Sequence, residues 1–530
     1  MARLILLILM LLPAPALARE TVAASAPQNL SVTVYRDPDR GQRPLSSESL
    51  NGFAMISETR TVVLPAGPST VRFEGVAEGM VAVTAIVTGL PGGTIEKNRD
   101  GALLSPASLV DGSLGNRVTI SRTNPATGRA RSEEAIVRTR ADGGLVLQTS
   151  QGFEAVRCAG LPESLLFDRV PAGLSAQPVF SINTDSPAGG TYQVTLTYLA
   201  TGFDWQANYL ATLEGGGSAR QKLRLTAWLT VANDNGQSFA NATLLAVAGT
   251  INVQSDFSEL SAPLDAEPLR LTCYPLGSTA HGSPIAVPPV PNQEVDYRGY
   301  SSDDSAIVVT GSRVAYAVAA PAPPPAMKAS EEALGDVKLY RVPEPVTVAS
   351  QSLKQVAFLD RPEVRGTLYH RSACGPETGY GDQGSSVALW LRTRNDVAHG
   401  LGMALPSGNV AVFEPTSAGD QLLGEQAIHD YPADQKVELA LANSSTVTLH
   451  CVGEKNQTRW NDGAWHSFHA VVTNANGHAI TLEVALGESS AWEVRKLTGR
   501  HSIADGQHVM TITVPANGSR ALHWEIRDTE

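Results

Sequence analysis

The sequence predicts an all-β protein: several β-sandwich or small-barrel domains, with a long Pro-rich disordered linker inserted in the main one. Three observations point that way. Apolar and polar residues alternate one for one in run after run, the period of half-buried strands. Turn dipeptides punctuate those runs at Asn51-Gly52, Asp142-Gly143, Asn235-Gly236, Asn476-Gly477 and Asp505-Gly506. Helical periodicity is scarce, and Ser330–Leu334 offers one turn. Frequent strands with few helices pack most economically as sandwiches and small barrels.

The elements follow in order. Met1-Ala2-Arg3 is a short basic start, Leu4–Leu12 is apolar, and Ala16-Leu17-Ala18 has the form of an A-x-A cleavage site. Residues 1–18 therefore read as a secretory signal peptide cut after Ala18, because the apolar run is far short of the roughly 20 residues that span a bilayer. The expected localisation is periplasmic or secreted. An N-terminal β domain is expected over 25–96, with strands at Ser31–Tyr35, Thr59–Leu64, Thr70–Phe73 and Val81–Val87. Over 97–177, short strands at Val118–Ile120, Ala135–Val137, Leu145–Leu147 and Phe153–Val156 suit a compact SH3-like barrel. Tyr192–Tyr198 and Leu223–Val231 then alternate strictly. From 254 to 334 prolines cluster, as in Pro321-Ala322-Pro323-Pro324-Pro325, which marks a disordered linker. Strands resume at Leu339–Val342 and run to the end, where Met510–Val514 and Leu522–Ile526 flank Asn517-Gly518 and read as a hairpin. Segments 178–253 and 335–530 are expected to form one main unit and share contacts, with the linker looping out between them.

Composition narrows the function. The 530 residues carry a net charge of -12, which disfavours nucleic acid as a partner. No later apolar stretch is long enough for a transmembrane segment. Hydrophobic content of 42% allows a sizeable core. The four cysteines, Cys158, Cys273, Cys374 and Cys451, allow three pairings. Cys158–Cys273 with Cys374–Cys451, one pair on each side of the linker, is preferred, and buried free thiols are the alternative. No C-x-x-C pair is present, so a zinc ribbon is disfavoured.

Motifs resolve mostly to structure. Gly379-Tyr380-Gly381-Asp382-Gln383-Gly384 has the letters of G-x-G-x-x-G, but it precedes a strand rather than a phosphate-binding helix. His466 and His469 fall on opposite faces of a strand and do not converge on a metal. Asn233-Asp234-Asn235-Gly236 reads as a hairpin turn rather than a calcium loop. Trp390, Trp460, Trp465 and Trp492 concentrate towards the C-terminus; exposed they would stack on sugars, and buried they anchor a core, the reading favoured for most of them. No nucleophile elbow or phosphate loop is present, and neither cofactor nor metal is expected.

Several stretches resemble a bacterial domain-of-unknown-function family typified by mucoidy inhibitor A. They are Gly202-Phe203-Asp204-Trp205-Gln206-Ala207-Asn208-Tyr209, Ala227–Asn233, Gly400–Val410, Leu423-Gly424-Glu425 and Val514–Gly518, with Val34-Tyr35 and Val62–Gly67 similar to that family's N-terminal domain. They cover most of the chain in family order. The resemblance implies an exported β-rich protein without an assigned reaction. Many members carry a coiled coil that is missing here, since Lys97–Pro178 shows no heptads. Ala306–Arg313 separately resembles a segment of TonB-dependent receptor plugs.

The expected function is a non-enzymatic envelope binding or scaffolding module, with envelope polysaccharide or protein as partner. A purely structural role through sheet edges is a further option. The alternative is an envelope hydrolase or metal-dependent enzyme with a non-motif active site. Its candidates are Asp204, Glu425, His429 and Asp430, which fall within the family-like stretches.

Overall fold

The computed structural model describes residues 19–529 apart from 47–48, 101–103, 105, 125–126, 140–144, 157–162, 172–173, 215–218, 250, 253–254, 262–328, 377–384 and 454–462. The leader, most of the linker, the glycine-rich stretch, Asp142-Gly143, Cys158, Cys273 and Trp460 thus lie outside the described residues.

Strands dominate. The α-helices among the described residues are the short Pro106–Gly112 and Phe257–Ser261. Five sheets hold the strands. The first runs Glu20–Ala23, Gly67–Glu74, Val179–Ser186, Glu96–Asp100. It packs on an eight-stranded sheet ordered Ser330–Leu334, Val337–Arg341, Phe239–Ala248, Gln28–Tyr35, Phe53–Leu64, Gly190–Thr201, Met80–Thr88, with Val346–Val348 also on Phe239–Ala248. Val71, Phe73, Phe180 and Ile182 on one side meet Ile56, Val62, Val194 and Leu196 on the other. The alternation of Gly190–Thr201 explains its place: Val194, Leu196, Tyr198 and Ala200 are buried, while the intervening threonines are not.

The other half of the eight-stranded sheet packs on a ten-stranded one. There Phe203–Leu213 pairs with Arg220–Asn233, which pairs in turn with Ser352–Ala373. Tyr340 and Phe358 meet edge to face between the two sheets, and Trp205 lies against Tyr340. The far end of the ten-stranded sheet, Ile480–Glu488 and Gln507–Val514, packs on the fifth sheet through Leu482, Ile512, Phe468 and Trp524. Each such side chain contributes about 1.5–3 kcal/mol when fully buried. A disulfide between Cys374 and Cys451 ties these last two sheets together.

Several expectations change. The strands of 25–96 do not stand apart: Phe53–Leu64 pairs with Gly190–Thr201 along its whole length, and Gln28–Tyr35 runs parallel to Phe239–Ala248. The expected contact between 178–253 and 335–530 is present, since Arg220–Asn233 pairs with Ser352–Ala373 in one sheet. The small unit is a five-stranded antiparallel sheet ordered Gly152–Val156, Leu145–Thr149, Ala130–Val137, Arg117–Thr123, Glu163–Leu166. It is a four-strand meander whose first strand, Arg117–Thr123, also pairs with Glu163–Leu166, and among the described residues it does not close into a barrel. Ser330–Leu334 is a strand, because pairing with Val337–Arg341 outweighs the local helix preference of Glu-Glu-Ala-Leu.

The turn at Asn517-Gly518 is not a hairpin. Gln507–Val514 and Gly518–Asp528 belong to different sheets and face each other across the core. Alternation alone does not distinguish strands side by side from strands face to face. The same holds at Asn233–Gly236, which carries the chain from the ten-stranded sheet into the eight-stranded one. Asp505-Gly506 is a true hairpin, with both residues at positive φ between paired strands.

Two of these crossings are built alike. At the first, Asn233 Nδ2 donates to the Gln237 and Ala349 carbonyls, and its Oδ1 accepts from the Asn235 backbone and side chain. At the second, Asn474 Nδ2 donates to the His478 and Pro515 carbonyls, and its Oδ1 accepts from the Asn476 backbone and side chain. The neighbouring crossings match too. Gln351 and Asn517 both have positive φ, and their N–H groups donate to the Asn235 and Asn476 carbonyls respectively. The two arches hold equivalent positions in two sandwiches, an internal repeat.

Candidate functional site

Distant parts of the chain meet around Asp204. Phe203–Leu213 begins with five consecutive buried residues rather than an alternation. One face packs into the core, with Trp205 Nε1 donating to the Val247 carbonyl. The other is covered by the loop that follows Gln28–Tyr35. Gly52 permits this approach: a Cβ there would lie 2.6 Å from the Tyr35 carbonyl oxygen, 2.7 Å from that of Phe203 and 2.9 Å from Asp204 Oδ1.

Asp204 is 2% exposed and both its oxygens are engaged. Arg40 lies 2.5 Å from Oδ2 and also donates to the Trp205 carbonyl at 2.7 Å. Oδ1 accepts from the N–H groups of Trp205 and Asp37. Burial pushes the Asp204 carboxyl up from its ordinary range, opposed by the Arg40 charge, and burial likewise lowers Arg40. Gln206 Oε1 accepts from the Leu45 N–H, fastening the far end of the loop.

A second pair sits beside the first. Arg36 Nη2 donates to Asp430 Oδ2 at 2.8 Å and its Nη1 donates to the Ser407 hydroxyl. The Ser407 N–H donates to Asp430 Oδ1, and the Tyr209 hydroxyl to the Pro406 carbonyl. The Arg36–Arg40 loop, the Asp204 strand and the Pro406–Asp430 segment are thus clamped at one point.

Of the four candidates, the structure brings Asp204 and Asp430 into this clamp and leaves the other two outside it. Glu425 is exposed and accepts from Asn409 Nδ2. His429 is exposed, with its ring 3.9 Å from that of Tyr431. Arg36, Arg40 and Ser407 were not singled out from the sequence, because nothing local distinguishes an arginine in a loop that will be buried against a strand far away. Asp204 and Asp430 were singled out only because they fall within the stretches that resemble a known family.

The remaining motifs find places. His466 is buried and His469 exposed, on opposite faces as expected. Asn235 is occupied with backbone contacts in its arch. Trp492 is buried, whereas Trp390 and Trp465 are half-buried, the latter held between Arg495 and Arg527 at 4.0 and 4.7 Å. Among the described residues no three His, Cys, Asp or Glu side chains gather to hold a metal, and no helix is long and apolar enough to cross a membrane. No known family model matches the chain, and no curated protein matches it.

Proposed function

We propose that this chain is an exported, non-enzymatic binding or scaffolding module of the cell envelope. The observation that carries this reading is how its most conspicuous charged residues are spent. Asp204 and Asp430, the best-placed candidates for acid–base work, are held by Arg40 and Arg36 in contacts that join three segments of the fold. A general acid or base must reach the proton it transfers, and Asp204 is 2% exposed with both oxygens already accepting hydrogen bonds. The Ala16-Leu17-Ala18 leader pattern, the Cys374–Cys451 disulfide and the resemblance to the mucoidy inhibitor A family support export.

The test is a pull-down from native envelope extract with the purified chain lacking residues 1–18, against a mock column. A reproducible polysaccharide or envelope protein in the eluate, identified chemically, is the expected result. A blank eluate together with turnover in a hydrolase screen would overturn the reading.

A further inference from the structure

Four neighbouring strands of the ten-stranded sheet carry a cationic face that neither the Asp204 clamp nor the cores use. Each strand has charged or hydroxyl residues at alternate positions: Arg220 and Lys222, Arg365 and Thr367, Arg392 and Arg394, Lys436 and Glu438. Alternate residues of a strand point to one side, and the register aligns these across the sheet. Arg220 stands opposite Thr367, Thr367 opposite Arg392, and Arg392 opposite Glu438. In the adjacent row Lys222 stands opposite Arg365, and Arg394 opposite Lys436.

All of these but Glu438 line an open groove of about 840 Å³ whose lining includes six Lys or Arg side chains and one carboxylate, Glu214. The lining itself is mostly cationic although the molecule carries a net charge of -12. Lys222, Arg365, Arg392, Arg394 and Lys436 have carboxylate partners, and three of these are largely buried. Glu438 and Glu483 contact Arg392 at 2.5 and 2.9 Å, and Asp396 contacts Arg394 at 3.3 Å. Those three carboxylates are 11, 14 and 18% exposed, against 65% for Arg365 and 56% for Arg394. Glu363, between Lys222 and Arg365, and Asp505, beside Lys436, are the more exposed partners. The ion pairs hold the cationic side chains in place, which reduces the freedom they lose on meeting a ligand.

We propose that this groove binds an extended polyanion, a chain bearing repeated carboxylate or phosphate groups, laid across the four strands. The assignment gives the envelope-binding module its ligand class and rests on that reading. Three strand spacings of about 4.8 Å make a path of about 14 Å, longer than any single carboxylate or phosphate. The guanidinium forks suit either group. Thr367 on the lining offers a hydroxyl to the neutral parts of such a chain.

The test uses the whole chain without residues 1–18, titrated with polygalacturonate, polyphosphate, inorganic phosphate and neutral dextran at low and high salt. One variant replaces Arg220, Arg365 and Arg394 by serine. A charge-matched control replaces Arg117, Arg129 and Arg138, which lie exposed on the small meander. At least one polymer should bind, more tightly than inorganic phosphate and more weakly in high salt, and dextran should not bind. The groove variant should lose about tenfold or more in affinity with its thermal midpoint unchanged, and the control should lose little. Binding of polygalacturonate alone or polyphosphate alone supports the proposal and identifies the charged group. No polymer binding, or equal losses in the two variants, would overturn it. The envelope pull-down separates the two readings: if the groove variant still captures the same partner, the groove assignment fails and the module reading stands.

Discussion

Arg40 and Asp204 are 6% and 2% exposed, so neither recovers its hydration if the other is removed. Truncating one partner of such a pair strands a buried charge, at a cost of about 3–5 kcal/mol. Asp204→Ala should therefore lower the stability measured by urea unfolding by about that amount. The double change Asp204→Leu with Arg40→Met should lose clearly less. Equal losses would mean that the pair adds net stability beyond its own desolvation. Glu438 provides the pH dependence. Burial raises its pKa, but hydrogen bonds and charge from Arg392 and Lys436 outweigh that and hold it below the ordinary 4.5. A carboxyl depressed in the folded state contributes stability above its unfolded value and loses it as pH falls through the folded one. The chain should thus weaken as pH drops below 4.5, and Glu438→Gln should shallow that loss, as urea midpoints across the carboxylate range would show. Asp204, raised by burial, has the opposite sense, its contribution lessening as pH rises through its folded value. Little of this was legible beforehand, because a buried carboxylate and a catalytic one look alike until the partner is known. Here the partner is 164 residues away.

At the scale of elements, the arches repeat one solution to one problem. A chain leaving one sheet for the facing sheet exposes backbone groups that no ladder satisfies, and a buried asparagine with two donors and an accepting oxygen takes them up. Asn233→Ala and Asn474→Ala should each cost about 2–4 kcal/mol through lost hydrogen bonds and stranded carbonyls. Similar losses at both sites in thermal unfolding would establish their equivalence, and a negligible loss at either would break it. The Cys374–Cys451 bridge acts on the second sandwich alone. Cys451→Ser should lower its stability by about 2–4 kcal/mol while leaving the spectroscopic signature of the first unchanged. Many strands were legible in place though not in extent, since half-burial imprints a period of two on Tyr192–Tyr198 or Leu223–Val231, within strands that run Gly190–Thr201 and Arg220–Asn233. Their partners were not. Asn235-Gly236 and Asp505-Gly506 look equally like hairpin turns, yet the first crosses between sheets and the second pairs neighbours.

Across the whole molecule, sequence order and spatial order diverge. Gly190–Thr201 lies between Phe53–Leu64 and Met80–Thr88, and Phe239–Ala248 lies between Gln28–Tyr35 and Val337–Arg341. The boundary near residue 97 was drawn from a change of pattern, and it falls inside Glu96–Asp100, a strand of the first sheet, ahead of the small inserted unit whose strands begin at Arg117. Cleavage within 262–328 should leave two fragments that elute together on a native column, because the pairing of Arg220–Asn233 with Ser352–Ala373 spans the cut. Fragments that separate without denaturant would contradict the shared sheet.

The parallel pairing of Gln28–Tyr35 with Phe239–Ala248 also has a consequence in time. During synthesis the first strand finds its near neighbour Phe53–Leu64 early, but its other edge waits roughly two hundred residues for a partner. Until then an apolar edge stands open, a template for association with other chains. Folding should be slow and late, and the shared sheet can form only once Ser352–Ala373 has emerged. A ribosome-released chain ending before that strand should aggregate rather than fold, leaving the nascent protein dependent on a holding chaperone for most of its synthesis.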